Sequence, residues 1–110
     1  MTDPTPDELF RQMGEKLARD PNRTAGMNAK YQFRLTGEGG GEWYLRIADG
    51  KPEVGKGTIE NPDNVQTMTV EDYVALATGK VPGQELFFSG RMKVEGDGFL
   101  GMKLGQILAD

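Results

Sequence analysis

Between Ala29 and Gly50 the chain alternates twice. Ala29, Tyr31, Phe33 and Leu35 interleave with Lys30, Gln32 and Arg34, and beyond a glycine-rich break Trp43, Leu45 and Ile47 interleave with Tyr44 and Arg46. A period of two is the signature of strands with one buried and one solvated face. The break, Glu38-Gly39-Gly40-Gly41, is turn chemistry, so the two runs form an antiparallel hairpin. Asp49-Gly50 is a second and stronger hairpin signal. It predicts a third strand over Glu53-Val54-Gly55-Lys56-Gly57, whose glycines and the preceding Pro52 suit a sheet edge or a strong bend. A chain with this centre must build an antiparallel sheet and cover one face of it.

The rest of the sequence supplies the cover. Thr5-Pro6-Asp7-Glu8 reads as a helix start, with Thr5 as cap, Pro6 at the first helical position and Glu8 completing a capping box. Leu9, Phe10, Met13 and Leu17 then share one face, and Asp20-Pro21 ends the helix. Val65 to Met68 reads as a fourth strand after the Asn61-Pro62-Asp63-Asn64 loop, with Gln66 and Met68 on one face. Thr69 caps a second helix whose apolar stripe is Val70, Tyr73, Val74 and Ala77, and Gly79 stands where a helix terminates. Pro82 opens a short helical turn carrying Leu86 and Phe87. Met92 and Val94 mark a fifth strand, and after Gly96-Asp97 a last helix runs to about Leu108. The expected fold class is α+β, a five-stranded, mainly antiparallel sheet covered by helices. At 110 residues the whole chain, 1–110, is expected to be one domain with one core.

Composition removes most chemistry. The chain has no cysteine and no histidine, and Ser89 is its only serine. Disulfides, thiolate or Ser-His catalysis and His- or Cys-based metal sites are therefore excluded, leaving only carboxylate, lysine or tyrosine chemistry. A net charge of −4 argues against nucleic acid as a partner. No apolar run is long enough to span a bilayer, and the acidic, proline-bearing start does not look like a secretion signal, so the expected location is cytoplasmic.

Several motifs have plain readings. Gly37 to Gly41 would need a helix directly after it to cradle phosphate, and a strand follows instead. Glu60, Asp63, Glu71 and Asp72 cluster in sequence, but Asp63 suits a turn and Asp72 a helix cap. Trp43 reads either as core or as the wall of a ligand pocket. Met68, Met92 and Met102 read either as ordinary core or as a surface adapting to ligands of variable shape. The last helix carries Leu100, Leu104, Ile107 and Leu108 on one face, with Phe99 and Met102 on its flank. Gly101 and Gly105 thin it, so it is held mainly by packing. It can be a docking helix or a gate.

Five stretches, taken together, resemble the sterol carrier protein type 2 family of lipid-transfer domains. They are Gly39-Gly40-Gly41-Glu42-Trp43; Asp49-Gly50; Asp63 to Met68 with Glu71-Asp72-Tyr73; Leu76-Ala77-Thr78-Gly79-Lys80; and Phe87-Phe88-Ser89-Gly90-Arg91-Met92-Lys93-Val94-Glu95-Gly96-Asp97 with Leu100-Gly101-Met102-Lys103-Leu104. The resemblance implies an apolar tunnel between sheet and helices that holds a lipid without covalent chemistry, no cofactor and no metal. It implies a tunnel wall of Phe33, Trp43, Leu45, Met68, Phe87, Phe88, Met102, Leu104, Ile107 and Leu108. The ligand would be a fatty acid, acyl-CoA, sterol-like or prenyl lipid, exchanged through the last helix and with transient membrane contact. An accessory subunit presenting lipid to a membrane-associated biosynthetic enzyme is the alternative, and an enzyme using carboxylates or tyrosine a third. Three departures stand out. Ser89 replaces a common glutamine, Gln66 replaces an apolar residue, and the sequence stops at Asp110 without the family's longer tail or peroxisomal signal. A small, stand-alone, prokaryotic member is therefore expected. Oligomeric state is left open.

Overall fold

The structure is a computed structural model and describes residues 4–108. Helix α1, Pro6–Arg19, begins with the full capping box. The Thr5 hydroxyl accepts from the Glu8 amide, and the Glu8 carboxylate accepts from the Thr5 amide. Strands β1 (Ala29–Thr36), β2 (Gly41–Ala48) and β3 (Lys51–Lys56) follow as a meander. At the β2–β3 turn, Asp49 has φ 50° and Gly50 φ 78°. Two successive positive φ values make the tight turn that matches strand twist. This turn is tied down by the Asn28 side chain, which accepts from the Asp49 amide, and by the Thr24 hydroxyl, which donates to the Gly50 carbonyl at 2.6 Å.

Strand β4 (Asn64–Thr69) adds to the other side of β1, and β5 (Lys93–Gly96) closes that edge, giving the order β3-β2-β1-β4-β5. β1 and β4 run parallel, while every other pair is antiparallel. The crossover from β1 to β4 passes through β2, β3 and the loop before Asn64. Helices α2 (Val70–Ala77), α3 (Gly83–Phe88) and α4 (Gly98–Leu108) complete the chain. This is the α+β sheet-and-helix architecture expected from the alternation, with five strands and helices on its apolar face.

Register fixes what that face presents. Phe33 stands opposite Trp43, Tyr31 opposite Leu45 and Ala29 opposite Ile47, and all six side chains are buried. On the other side Tyr31 aligns with Asn64, Phe33 with Gln66 and Leu35 with Met68. The inner row of β4 thus carries two buried amides and a methionine. Helix α1 lies over the β3 side of this face and α4 over β4 and β5.

Two expectations need correction. Gln32 alternates as a solvated residue, yet it is buried on the outer face. Its amide donates to the carbonyls of Trp43 and Gly57, both at 3.1 Å, and accepts from the Ile59 amide. The residues after β3 fold back as a strap, and Gln32 satisfies three backbone groups beneath it. Ala77 belongs by period to the α2 stripe but is exposed, because α2 ends there in the Thr78–Gly79 cap.

Candidate functional site

Helix α1 sets Phe10 against the inner face of the sheet. Its ring stacks on Trp43 at 5.2 Å and on Tyr73 at 4.7 Å, and meets Phe33 at a tilt, 5.1 Å between centroids. The indole of Trp43 is fixed at its polar edge, where Nε1 donates to the Asp7 carboxylate at 2.8 Å. Lys56 sits over the same indole and pairs with Asp7 at 3.7 Å. An open groove of about 460 Å³ runs between α1 and β3, lined by Phe10, Gly14, Trp43, Val54 and Lys56 among others.

Helix α4 covers the β4 side through backbone contacts. The Tyr31 hydroxyl donates to the Leu100 carbonyl at 2.8 Å, and the Asn64 amide donates to the Asp97 carbonyl at 2.9 Å. Gln66 donates in turn to Asn64 at 3.1 Å. Gly101 lies directly above both amides: a Cβ there would be 3.5 Å from Asn64 and 3.7 Å from Gln66. At the far end Lys16 donates to the Leu108 carbonyl at 2.6 Å and Arg23 to the Ile107 carbonyl at 2.8 Å. Cations at a helix C-terminus satisfy its orphan carbonyls and complement its dipole.

Ten residues form the expected wall. Phe33, Trp43, Leu45, Met68, Leu104 and Ile107 are brought together in the buried core, and Leu108 packs against it half-buried. Phe87, Phe88 and Met102 do not join them. They are 50%, 80% and 62% exposed, and Phe99, in the first turn of α4, is 81% exposed. The reason is local. Helix α3 is six residues long and turns only Leu86 inward, and Met102 lies off the Leu104–Ile107 face of α4. Phe87 and Phe88 contact each other edge to face at 5.5 Å. Phe10, Tyr31 and Tyr73 pack in the same buried layer and escaped the sequence reading as wall residues. Phe10 was visible as a member of a helical stripe, Tyr31 in a strand alternation, and Tyr73 in a helical stripe and in the stretch Glu71-Asp72-Tyr73.

The acidic residues serve the scaffold. The Asp63 carboxylate accepts from the Lys30 amide at 2.9 Å, and the Asp72 amide donates to its cap Thr69 at 3.0 Å. The Asp72 carboxylate pairs with Arg91 and holds that guanidinium's pKa above its ordinary value, through the hydrogen bond first and charge second. Among the described residues there is no group of three or more acidic side chains placed to hold a metal ion, and no helix is long and apolar enough to cross a membrane.

A family model described as the SCP-2 sterol transfer family matches residues 8–109. The chain belongs to that family. Hydroxysteroid dehydrogenase-like protein 2 of Rattus norvegicus is 34% identical over 103 residues, which cover 93% of this chain and 19% of the relative. The chain thus spans about a fifth of the length of the curated relatives it matches. Among solved structures, the sterol carrier protein domain 2 of Helicoverpa armigera is 28% identical, with a TM-score of 0.70 over 97% of this chain and 91% of that one. A palmitated SCP2L2 of Aedes aegypti superposes with a TM-score of 0.80 at 19% identity, covering 96% of each chain. The fold of the SCP-2 family is therefore the fold of this chain, and the resemblance read from the five stretches holds.

Proposed function

We propose that the chain binds one hydrophobic ligand between its sheet and its helices and transfers it without covalent chemistry. The ligand class is a fatty acid, acyl-CoA, sterol-like or prenyl lipid. The observation that carries this reading is the inner face itself, an aromatic layer of Phe10, Phe33, Trp43 and Tyr73 closed on one side by α4. Family membership and the palmitated relative support the same ligand class. Each methylene taken from water is worth ~0.8 kcal/mol, so a chain of ~12 carbons gains ~10 kcal/mol gross before ordering costs.

Entry requires core side chains to part. Helix α4 is the element suited to move, because side-chain bonds to its backbone and a thin glycine contact hold it down. The exposed aromatics of α3 and α4 are suited to touch a membrane while it does so. A second reading, an accessory domain that presents lipid to an enzyme, draws on relatives in which the matching region is about a fifth of the chain. Co-purification of a biosynthetic enzyme from the native source favours it over the first.

Native mass spectrometry of gently purified protein is expected to show the polypeptide carrying one extractable lipid. Bare polypeptide mass, together with Trp43 fluorescence that ignores acyl and prenyl ligands, would sink the carrier reading. Within α4, Leu104→Asp is expected to weaken binding well beyond Lys103→Asp. Equal binding by both variants removes the helix from the site.

A further inference from the structure

Tyr73 is 3% exposed, and its hydroxyl has no hydrogen-bond partner among the described residues. Buried hydroxyls are nearly always bonded, and an unmade bond costs more than a made one gains. Phenylalanine would fill the same place against Phe10 and Phe33 without that cost. The neighbouring core tyrosine shows the usual solution, since the Tyr31 hydroxyl reaches the Leu100 carbonyl. Tyr73 has no such carbonyl, although its ring is held by Phe10 at 4.7 Å and by Phe33 at 6.4 Å.

We propose that the Tyr73 hydroxyl receives a neutral oxygen, a hydroxyl or carbonyl, of the lipid held between α1, α2 and the sheet. The inference rests on the lipid-binding reading and adds to it a choice among lipids. A phenol both donates and accepts one hydrogen bond, so it can serve an alcohol or a ketone. A carboxylate is a poor occupant at that point. It would have to leave water for an aromatic layer of Phe10, Phe33 and Trp43, where burying a charge is costly. Burial alone raises the Tyr73 pKa, so the group stays a neutral donor. Phe10 lies between the two: it stacks on the Tyr73 ring and also lines the groove between α1 and β3, so a lipid entering from that groove meets Phe10 before Tyr73.

The test uses the full chain and three probes of equal chain length, hexadecanol, hexadecene and palmitate, each displacing a fluorescent acyl reporter. The wild-type protein is expected to bind hexadecanol roughly tenfold tighter than hexadecene, the size of one buried hydrogen bond. Tyr73→Phe is expected to bring that ratio close to one, while Tyr44→Phe, on the outer face of the sheet, leaves it unchanged. Without ligand, Tyr73→Phe is expected to melt no lower than wild type, because it deletes an unpaired hydroxyl. A ratio that survives in Tyr73→Phe overturns the inference and leaves lipid binding intact. So does a ligand-free Tyr73→Phe that melts lower, since the hydroxyl would then be bonded already. Wild-type protein that displaces the reporter with none of the three probes overturns the lipid-binding reading itself.

Discussion

Two tyrosines share the core and solve burial differently. Tyr31 donates to the Leu100 carbonyl, while Tyr73 is buried in an aromatic layer. Both hold their protons more tightly than a free phenol. Burial, then the carboxylates of Asp97 and Asp63, push Tyr31 from 10.0 up to about 12, and burial alone raises Tyr73. Above pH 10 the native state therefore keeps protons that the unfolded chain has lost. Stability supplied by these phenols is complete below the unfolded value near 10 and falls as pH rises towards about 12. Melting temperature measured against pH is expected to drop through that window, and Tyr31→Phe to flatten the drop. Gly96 gives a second test at this scale. It has φ 84°, and a Cβ there would collide with the Asp63 carbonyl. Gly96→Ala is expected to cost about 1–3 kcal/mol in denaturant unfolding. Gly96 was legible only as a strand breaker, because sequence shows a glycine but not the carbonyl beside it. Gln32 was misjudged for a related reason: its burial depends on the strap after β3, a partner distant in sequence.

Among elements, α4 is held by polar contacts to its backbone as well as by apolar packing of Leu100, Leu104, Ile107 and Leu108. Tyr31, Asn64, Lys16 and Arg23 all bond to the carbonyls of this helix or of Asp97 just before it, while Leu104 and Ile107 are its buried apolar residues. Gly105 faces open space, with no atom within 4 Å of an added Cβ. Gly105→Ala is expected to stabilise α4 by up to ~1 kcal/mol through helix propensity. It is also expected to slow amide exchange in α4 and, if the helix gates the ligand, to slow lipid transfer between vesicles. Faster transfer with slower exchange would separate the helix from gating. The elements themselves were largely readable. Capping at Thr5 and Thr69, the Asp49-Gly50 turn and strict alternation in β1 and β2 are local signals, and each appears where the residues put it. What α4 rests upon was not readable, since the amides of Asn64 and Gln66 meet it only through the parallel pairing of β1 with β4.

For the whole molecule, polar and apolar surfaces are divided by the sheet. The outer face carries the ion pairs Arg34–Glu42 and Arg46–Glu53, and the inner face carries the core. Phe87, Phe88, Phe99 and Met102 are large apolar side chains left in solvent, on the two helices that flank β5 in sequence. Scattered exposed apolar residues need no explanation, but the aromatic pair Phe87–Phe88, in mutual contact on a six-residue helix, is the surface at which membrane contact is proposed. Phe87→Ser with Phe88→Ser is expected to reduce association with lipid vesicles several-fold and to leave the melting temperature within a few degrees, since neither ring is in the core. Unchanged vesicle association would assign the pair another role. The central claim is that a lipid lies between the sheet and the helices rather than on these exposed side chains. Isotope-filtered NOE spectroscopy with labelled palmitate tests it most directly. The account predicts contacts from the acyl chain to Phe33, Trp43 and Leu104; contacts confined to Phe87, Phe88 and Phe99 would contradict it.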